Sequence, residues 1–176
     1  MPKTKLQRII FGVLMSITMA YGMEVFNVAH KLGFGTMPGG FSNMTNHVFS
    51  EALLEASFMW IFVFLFSNLW GNRIGHSLAS KLIDPKKDNP FFCTLIISSC
   101  TVLIMCPTMS AVAAILFNII LSGVPAAQFP AVWVGTVLKN FPMALLWNLF
   151  AAGPITRFLF RKLFAERKTT AVGETA

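Results

Sequence analysis

Charge is what this sequence has least of: 21 of its 176 residues, or 12%, are Asp, Glu, Lys or Arg, about half the ~25% of ordinary soluble domains. That scarcity, together with 55% hydrophobic residues and a mean hydropathy of +0.67, excludes a water-soluble globule and places the chain in the membrane class. Acidic residues are rarer still, 7 against 14 basic ones. The net charge of +7 does not point to nucleic acid, because the basic residues gather at the ends of apolar runs and form no single patch. Cysteine is sparse as well: Cys93, Cys100 and Cys106 fall in one apolar run without a CxxC spacing, so neither a disulfide framework nor a metal cluster is expected. They read as reduced, packed thiols. No nucleophile elbow, HExxH or paired-carboxylate spacing is present, so no enzymatic activity and no cofactor are expected. The glycine-rich stretch GFGTMPGG at 33–40 lacks the strand-to-helix context of a phosphate cradle and reads as a flexible connector.

What the sequence does have is long apolar runs. Ile9 to Val28 carries Glu24 as its single charge, Ala52 to Trp70 carries Glu55, Phe91 to Leu121 carries none and Phe129 to Thr156 carries Lys139. Twenty helical residues reach ~30 Å, the thickness of the hydrocarbon layer. These continuous runs lack the alternation of a membrane barrel, and helices are the other way to satisfy a backbone in lipid. The expectation is an all-α polytopic membrane protein with four transmembrane helices, spanning about 9–28, 52–70, 94–117 and 130–156. The third run is long enough to tilt, protrude or bend at Pro107, and the fourth holds Pro142. The opening KTKLQR and its apolar run resemble a signal peptide, but the run is too long and no small-x-small site follows, so it is expected to remain as a span.

Twelve of the fourteen basic residues flank the runs on one side: Lys3, Lys5 and Arg8; Arg73, Lys81, Lys86 and Lys87; Arg157, Arg161, Lys162, Arg167 and Lys168. The opposite side has Lys31 alone. By the positive-inside rule both termini are expected to be cytoplasmic. The run RFLFRKLFAERK interleaves cations with Phe and Leu, so Arg157, Arg161 and Lys162 are expected to bind anionic lipid headgroups.

The two halves of the chain resemble each other. A shift of 86 aligns Ile10, Met19 and Met23 with Ile96, Met105 and Met109, and a shift of 81 aligns Leu65, Ile74, Leu78, Lys81 and Leu82 with Leu146, Ile155, Leu159, Lys162 and Leu163. Two tandem two-helix units, 1–88 and 89–168, followed by a disordered tail at 169–176, account for both shifts. Each unit crosses twice, so the copies are expected to be parallel repeats about an axis along the membrane normal. The stretches KTKLQRIIFGVLMSITMAYGM, MCPTMS and AVWVGTVLKNFPMALLWNLFAAGPITRFLFRKLF resemble the bacterial domain-of-unknown-function 2798 family, small membrane proteins in which a two-helix unit occurs singly or in tandem. The similarity covers about Pro2 to Phe164 and is most specific at NFPMA and AGP. It departs near Ile61, where family members tend to have proline. The resemblance implies the duplication and the topology, and it brings no activity.

The candidate site residues are the intramembrane polar groups Glu24, Glu55, Lys139 and Asn140. An isolated charge at such depth costs ~2.5–3.5 kcal/mol on insertion scales, so Lys139 is expected to pair with Glu55 or Glu24, either to lock helices together or to handle protons or cations. Pro107 and Pro142 are expected to kink their helices. His47 and Glu51 face the same way if the second helix extends backward, with His30 near them. Such a set either ligates a divalent metal or sits solvated in a loop, and no metal motif matches its spacing. Two functional readings stand: a small transporter or channel, acting as a homo-oligomer because four helices enclose little, and a non-transporting structural, accessory or regulatory membrane protein. The solute is unknown.

Overall fold

The computed structural model describes residues 4–34, 37–38, 44–84, 88–123 and 125–172, with side chains described as far as 164 except at 90. Among the described residues there is no strand, and four helices are long and apolar enough to cross a membrane: Lys5–Lys31, Asn46–Ala79, Phe91–Leu121 and Ala126–Phe164. The protein is an all-α, multi-pass membrane protein. Its first span is α1 (Lys5–Lys31). The second joins α2 (Asn46–Phe66), the π-helical segment π1 (Ser67–Gly71) and α3 (Asn72–Ala79). The third joins α4 (Pro90–Ala113) to π2 (Ala114–Leu121). The fourth follows a 3-10 turn at Ala126–Gln128 and joins α5 (Phe129–Trp147), π3 (Asn148–Ala152) and α6 (Gly153–Val172).

The helices outrun the apolar segments because their ends are capped in polar sequence. Thr4 accepts from the Gln7 amide while the Gln7 side chain accepts from the Thr4 amide, satisfying two donors at the start of α1. Past Leu32 the chain turns at Gly33, whose φ of +92° suits the left-handed residue that ends a helix. Asn89 caps α4, with Pro90 in its first turn, where a missing N–H costs nothing. Helix α6 continues through Val172, past the boundary expected for a tail at 169, because adding a residue to an existing helix is far easier than starting one. The connector glycines Gly35, Gly39 and Gly40 and residues 173–176 lie outside the described residues.

Neighbouring spans pack in chain order around a ring, with the fourth closing on the first. Packing is inside-out by the standards of a soluble protein. Leu54, Leu138, Phe91, Phe150 and Phe158 stand exposed, whereas Ser16, Ala20, Ala52, Ser110, Ala114, Ala152 and Thr156 are buried. Lipid already solvates Leu and Phe, so close approach of backbones at small residues drives association. Three tryptophans then join spans through their indole N–H groups. Trp147 donates to the Thr18 carbonyl at 2.9 Å, Trp133 to the Pro107 carbonyl at 2.9 Å, and Trp70 to the Thr108 hydroxyl at 3.4 Å. At the end that carries the termini, Phe11 meets Phe160 edge-on at 5.5 Å.

Pro107 and Pro142 both sit inside continuous α-helix. The departure from α geometry comes further along, in π2 and π3. Segments π1 and π3 are each five residues long, and Ser67 and Asn148, their first residues, are separated by the 81-residue shift that aligns the two halves.

The Trp147 indole lies directly on Gly22, where a Cβ would enter the ring. Gly22→Ala is therefore expected to destabilise the bundle by ~1–3 kcal/mol, read as a lowered thermal midpoint in detergent. Gly135→Ala, with nothing within 4 Å of the new methyl, should leave the midpoint unchanged.

Candidate functional site

At the centre of the ring lies a cavity of about 610 Å³, within the range of small-molecule sites. Its wall on α1 runs from Phe11 to Asn27, about 24 Å of helix at 1.5 Å per residue. The cavity therefore follows most of the membrane's thickness. At the end carrying the termini it reaches the exposed side chains of Asn72, Arg157 and Arg161. At the other end the wall stops at Asn27, where α1 and α2 close on each other through Val28, Ala29, Val48 and Ala52, all 3% exposed or less.

Lining positions recur along this wall at fixed spacings. Each of the nine α1 residues that line the cavity, advanced by 86, is an α4 residue that also lines it: Met19 and Met105, Met23 and Met109, Ala20 and Cys106, Glu24 and Ser110 among them. Each of the five lining residues of the second span, advanced by 81, is a lining residue of the fourth: Met59 and Asn140, Val63 and Ala144, Ser67 and Asn148, Asn72 and Gly153, His76 and Arg157. The shifts that align the sequence are thus the shifts that align the wall.

Most of the wall is apolar and soft. Six of the ten methionines face the cavity, and unbranched thioethers adapt their shape to what they touch. Its polar groups are few. Deep in the wall the Ser98 hydroxyl donates to Asn148 Oδ1 at 3.2 Å. Towards the closed end lie Glu24, 3% exposed, Asn140, 4% exposed, and Asn27. The side chain of Glu24 meets those of Glu55 and Asn27 and lies within electrostatic reach of Lys31. The Oδ1 atoms of Asn27 and Asn140 and Glu55 Oε2 are buried without a hydrogen-bond partner.

The ion pairing differs from the expected one. Glu55 binds Lys31, with Nζ 2.8 Å from Oε1, and the same ammonium lies 4.6 Å from the centre of the Phe117 ring. Lys139 forms no ion pair among the described residues, and it stands within electrostatic reach of Lys31 and Glu24. Proximity explains the exchange. The last turn of α1 brings Lys31 down onto α2, the helix that carries Glu55, and no large span separates them. Glu24, Asn140 and the approach of Lys139 do share one region, whereas Glu55 stands behind Glu24 and outside the cavity wall. His47 Nδ1 lies 3.3 Å from Glu51 Oε1, one helical turn on, and His30 stacks instead on Phe26. Among the described residues no three His, Cys, Asp or Glu side chains gather to hold a metal, and the cysteines are free.

Arg157 and Arg161, expected at the headgroups, line the mouth of the cavity, and Lys162 does not. The methionine wall, Asn27, Lys31 and Asn148 escaped the sequence reading. The spacing of Met15, Met19 and Met23 by fours and the pairing of Met19 and Met23 with Met105 and Met109 were the available signal.

Residues 86–164 match the family described as Domain of unknown function (DUF2798). The second half of the chain is similar to that family. The matched segment holds α4, Asn140, Asn148 and both arginines of the mouth, while Glu24, Asn27, Lys31 and Glu55 lie in the first half, ahead of the match. Over nearly its whole length the chain is also similar to the Uncharacterized protein YybC of Bacillus subtilis (strain 168), 25% identical over 175 residues that cover 98% of this chain and 100% of that protein. No solved structure matches.

An unpaired Lys139 predicts a mild variant. Lys139→Ala should hold its thermal midpoint within about 2 °C of the parent protein. Lys31→Ala, which breaks a pair whose lysine is 50% exposed, should cost about 1 kcal/mol or less. A midpoint lowered by more than about 5 °C in Lys139→Ala would restore the expected buried pair.

Proposed function

We propose that the protein is a small transporter of the bacterial plasma membrane, made of two parallel two-helix units with both termini in the cytoplasm, that carries a solute through its central cavity. The observation that carries this reading is the cavity itself. A purely architectural bundle would fill its axis with side chains, because interiors pack to crystal density. Here the axis is open over about 24 Å of helix, and Glu24, Asn27, Asn140 and Asn148 face it. Intramembrane ionisable groups on a cavity commonly mark a solute or ion path.

The matching of the wall at shifts of 86 and 81 supports the paired units, and the basic residues around the mouth support a cytoplasmic opening. The path lies within one chain in this reading, so self-association is not needed to enclose it. Lys162 would hold the mouth against anionic lipid. No residue is assigned a catalytic role.

Reconstituted into proteoliposomes, the protein should give a flux above empty liposomes for protons or for at least one of a panel of small amines, amino acids and carboxylates. Ala144→Trp, which fills the wall at a residue 4% exposed, should return that flux to background in protein that remains monodisperse. Absence of protein-dependent flux across the whole panel would overturn transport and favour an accessory membrane protein, for which cross-linking should recover one reproducible partner.

A further inference from the structure

We infer that the closed end of the cavity is a binding site for an amphiphilic amine, whose ammonium N–H groups are held by Glu24, Asn27 and Asn140 while its apolar body lies along the methionines. The inference deepens the reading of the cavity as a solute site and names the chemical class of the solute.

It starts from the places where the two halves of the wall differ. Under the shift of 86, Glu24 and Asn27 stand where the second unit has Ser110 and Ala113. Under the shift of 81, Asn140 stands where the first unit has Met59. All three of these departures lie towards the closed end, and all three place an oxygen acceptor on the wall. Two of those oxygens, Oδ1 of Asn27 and Oδ1 of Asn140, are buried without a partner, and Asn140 is only 4% exposed. An unmade hydrogen bond to a buried acceptor is costly, so such a group calls for a donor.

The donor has to come from a ligand. Arg157, at the mouth, lies 17 residues from Asn140, about 25 Å along the helix. Lys31 is held by Glu55. Lys139 lies within electrostatic reach of Glu24 without pairing to it, and so acts as the charge that a ligand ammonium must compete with. A ligand bearing an acidic group would be drawn to Arg157 and Arg161 at the mouth and repelled by Glu24 at the closed end.

The apolar part follows from the lining next to the acceptors. Met19, Met23, Met59 and Met109 all face the same space, and thioethers fit aliphatic and aromatic bodies of varied shape. An amine with a phenyl or alkyl body uses both parts of the wall. An inorganic cation would leave the methionines unused.

The test is equilibrium binding of radiolabelled phenethylamine to the full-length protein in nanodiscs, with empty nanodiscs as the blank and 3-phenylpropionate and tetraphenylphosphonium as comparison probes. Phenethylamine should bind saturably, and 3-phenylpropionate, of similar size and opposite charge, should not. Tetraphenylphosphonium, a cation without N–H, should bind at least about tenfold more weakly than the amine. Glu24→Gln should weaken amine binding at least about tenfold and Asn140→Leu about three- to tenfold, whereas Lys139→Gln should tighten it.

Should Glu24→Gln fail to fold, the opposite signs of the Asn140 and Lys139 variants still decide. Equal binding of the acid and the amine, or weaker amine binding in Lys139→Gln, overturns the proposal. Amine binding without any flux would leave this site standing and overturn the transport reading. Flux of an acid without amine binding would do the reverse.

Discussion

A backbone in hydrocarbon has no water to bond, and everything else in this structure follows from that constraint. It turns all four apolar runs into helices, and it makes the contact between helices a matter of close fit between small residues. The hydrophobic effect contributes little there, because the lipid is as apolar as the side chains. Gly22 under the Trp147 indole, Ala52 against Val28 and Gly75 against Thr101 are the places where backbones approach. The indole N–H bonds to the Thr18 and Pro107 carbonyls add direction to contacts that dispersion alone would leave free to slide.

The same constraint explains the polar interior. A side chain that would sit on the surface of a soluble protein is sent inward here, so the interior of the bundle collects Ser16, Glu24, Ser110, Asn140, Asn148 and Thr156. Large apolar side chains are spent on the outer face. The middle of the bundle is then left to small and flexible residues that cannot fill it, and a cavity remains. The two halves contribute positions 86 and 81 residues apart to its wall, and the side chains at several of them differ: an acid and an amide on α1, an amide on α5, and an arginine in α6 where α3 has a histidine.

Much of this was legible in the residues. The four spans follow from hydropathy and length, and the structure lengthens each at both ends where Thr4, Gly33 and Asn89 set the boundaries. The alignment of Met19 and Met23 with Met105 and Met109 marked positions that prove to line the cavity together. The partners of the charges were not legible. Depth along a helix can be counted from the sequence, so Lys139 was matched to Glu55 and Glu24 by depth. Rotation about the helix axis cannot be counted in the same way, and it is rotation that gives Glu55 to Lys31. The π segments carry the same difficulty, since each shifts the face presented by every residue after it. Arg157 and Arg161 consequently point to the cavity mouth although their composition reads as a headgroup anchor.

The sequence by itself determined that this is a helical membrane protein of four spans, because apolar length and the need for internal hydrogen bonds are properties of each segment alone. Tertiary structure decided which charges meet, that the ring stays open along its axis, and that unpartnered amide oxygens share a region with Glu24. Those are relations between segments distant in the chain, set by the angle and rotation at which small residues let the helices pack.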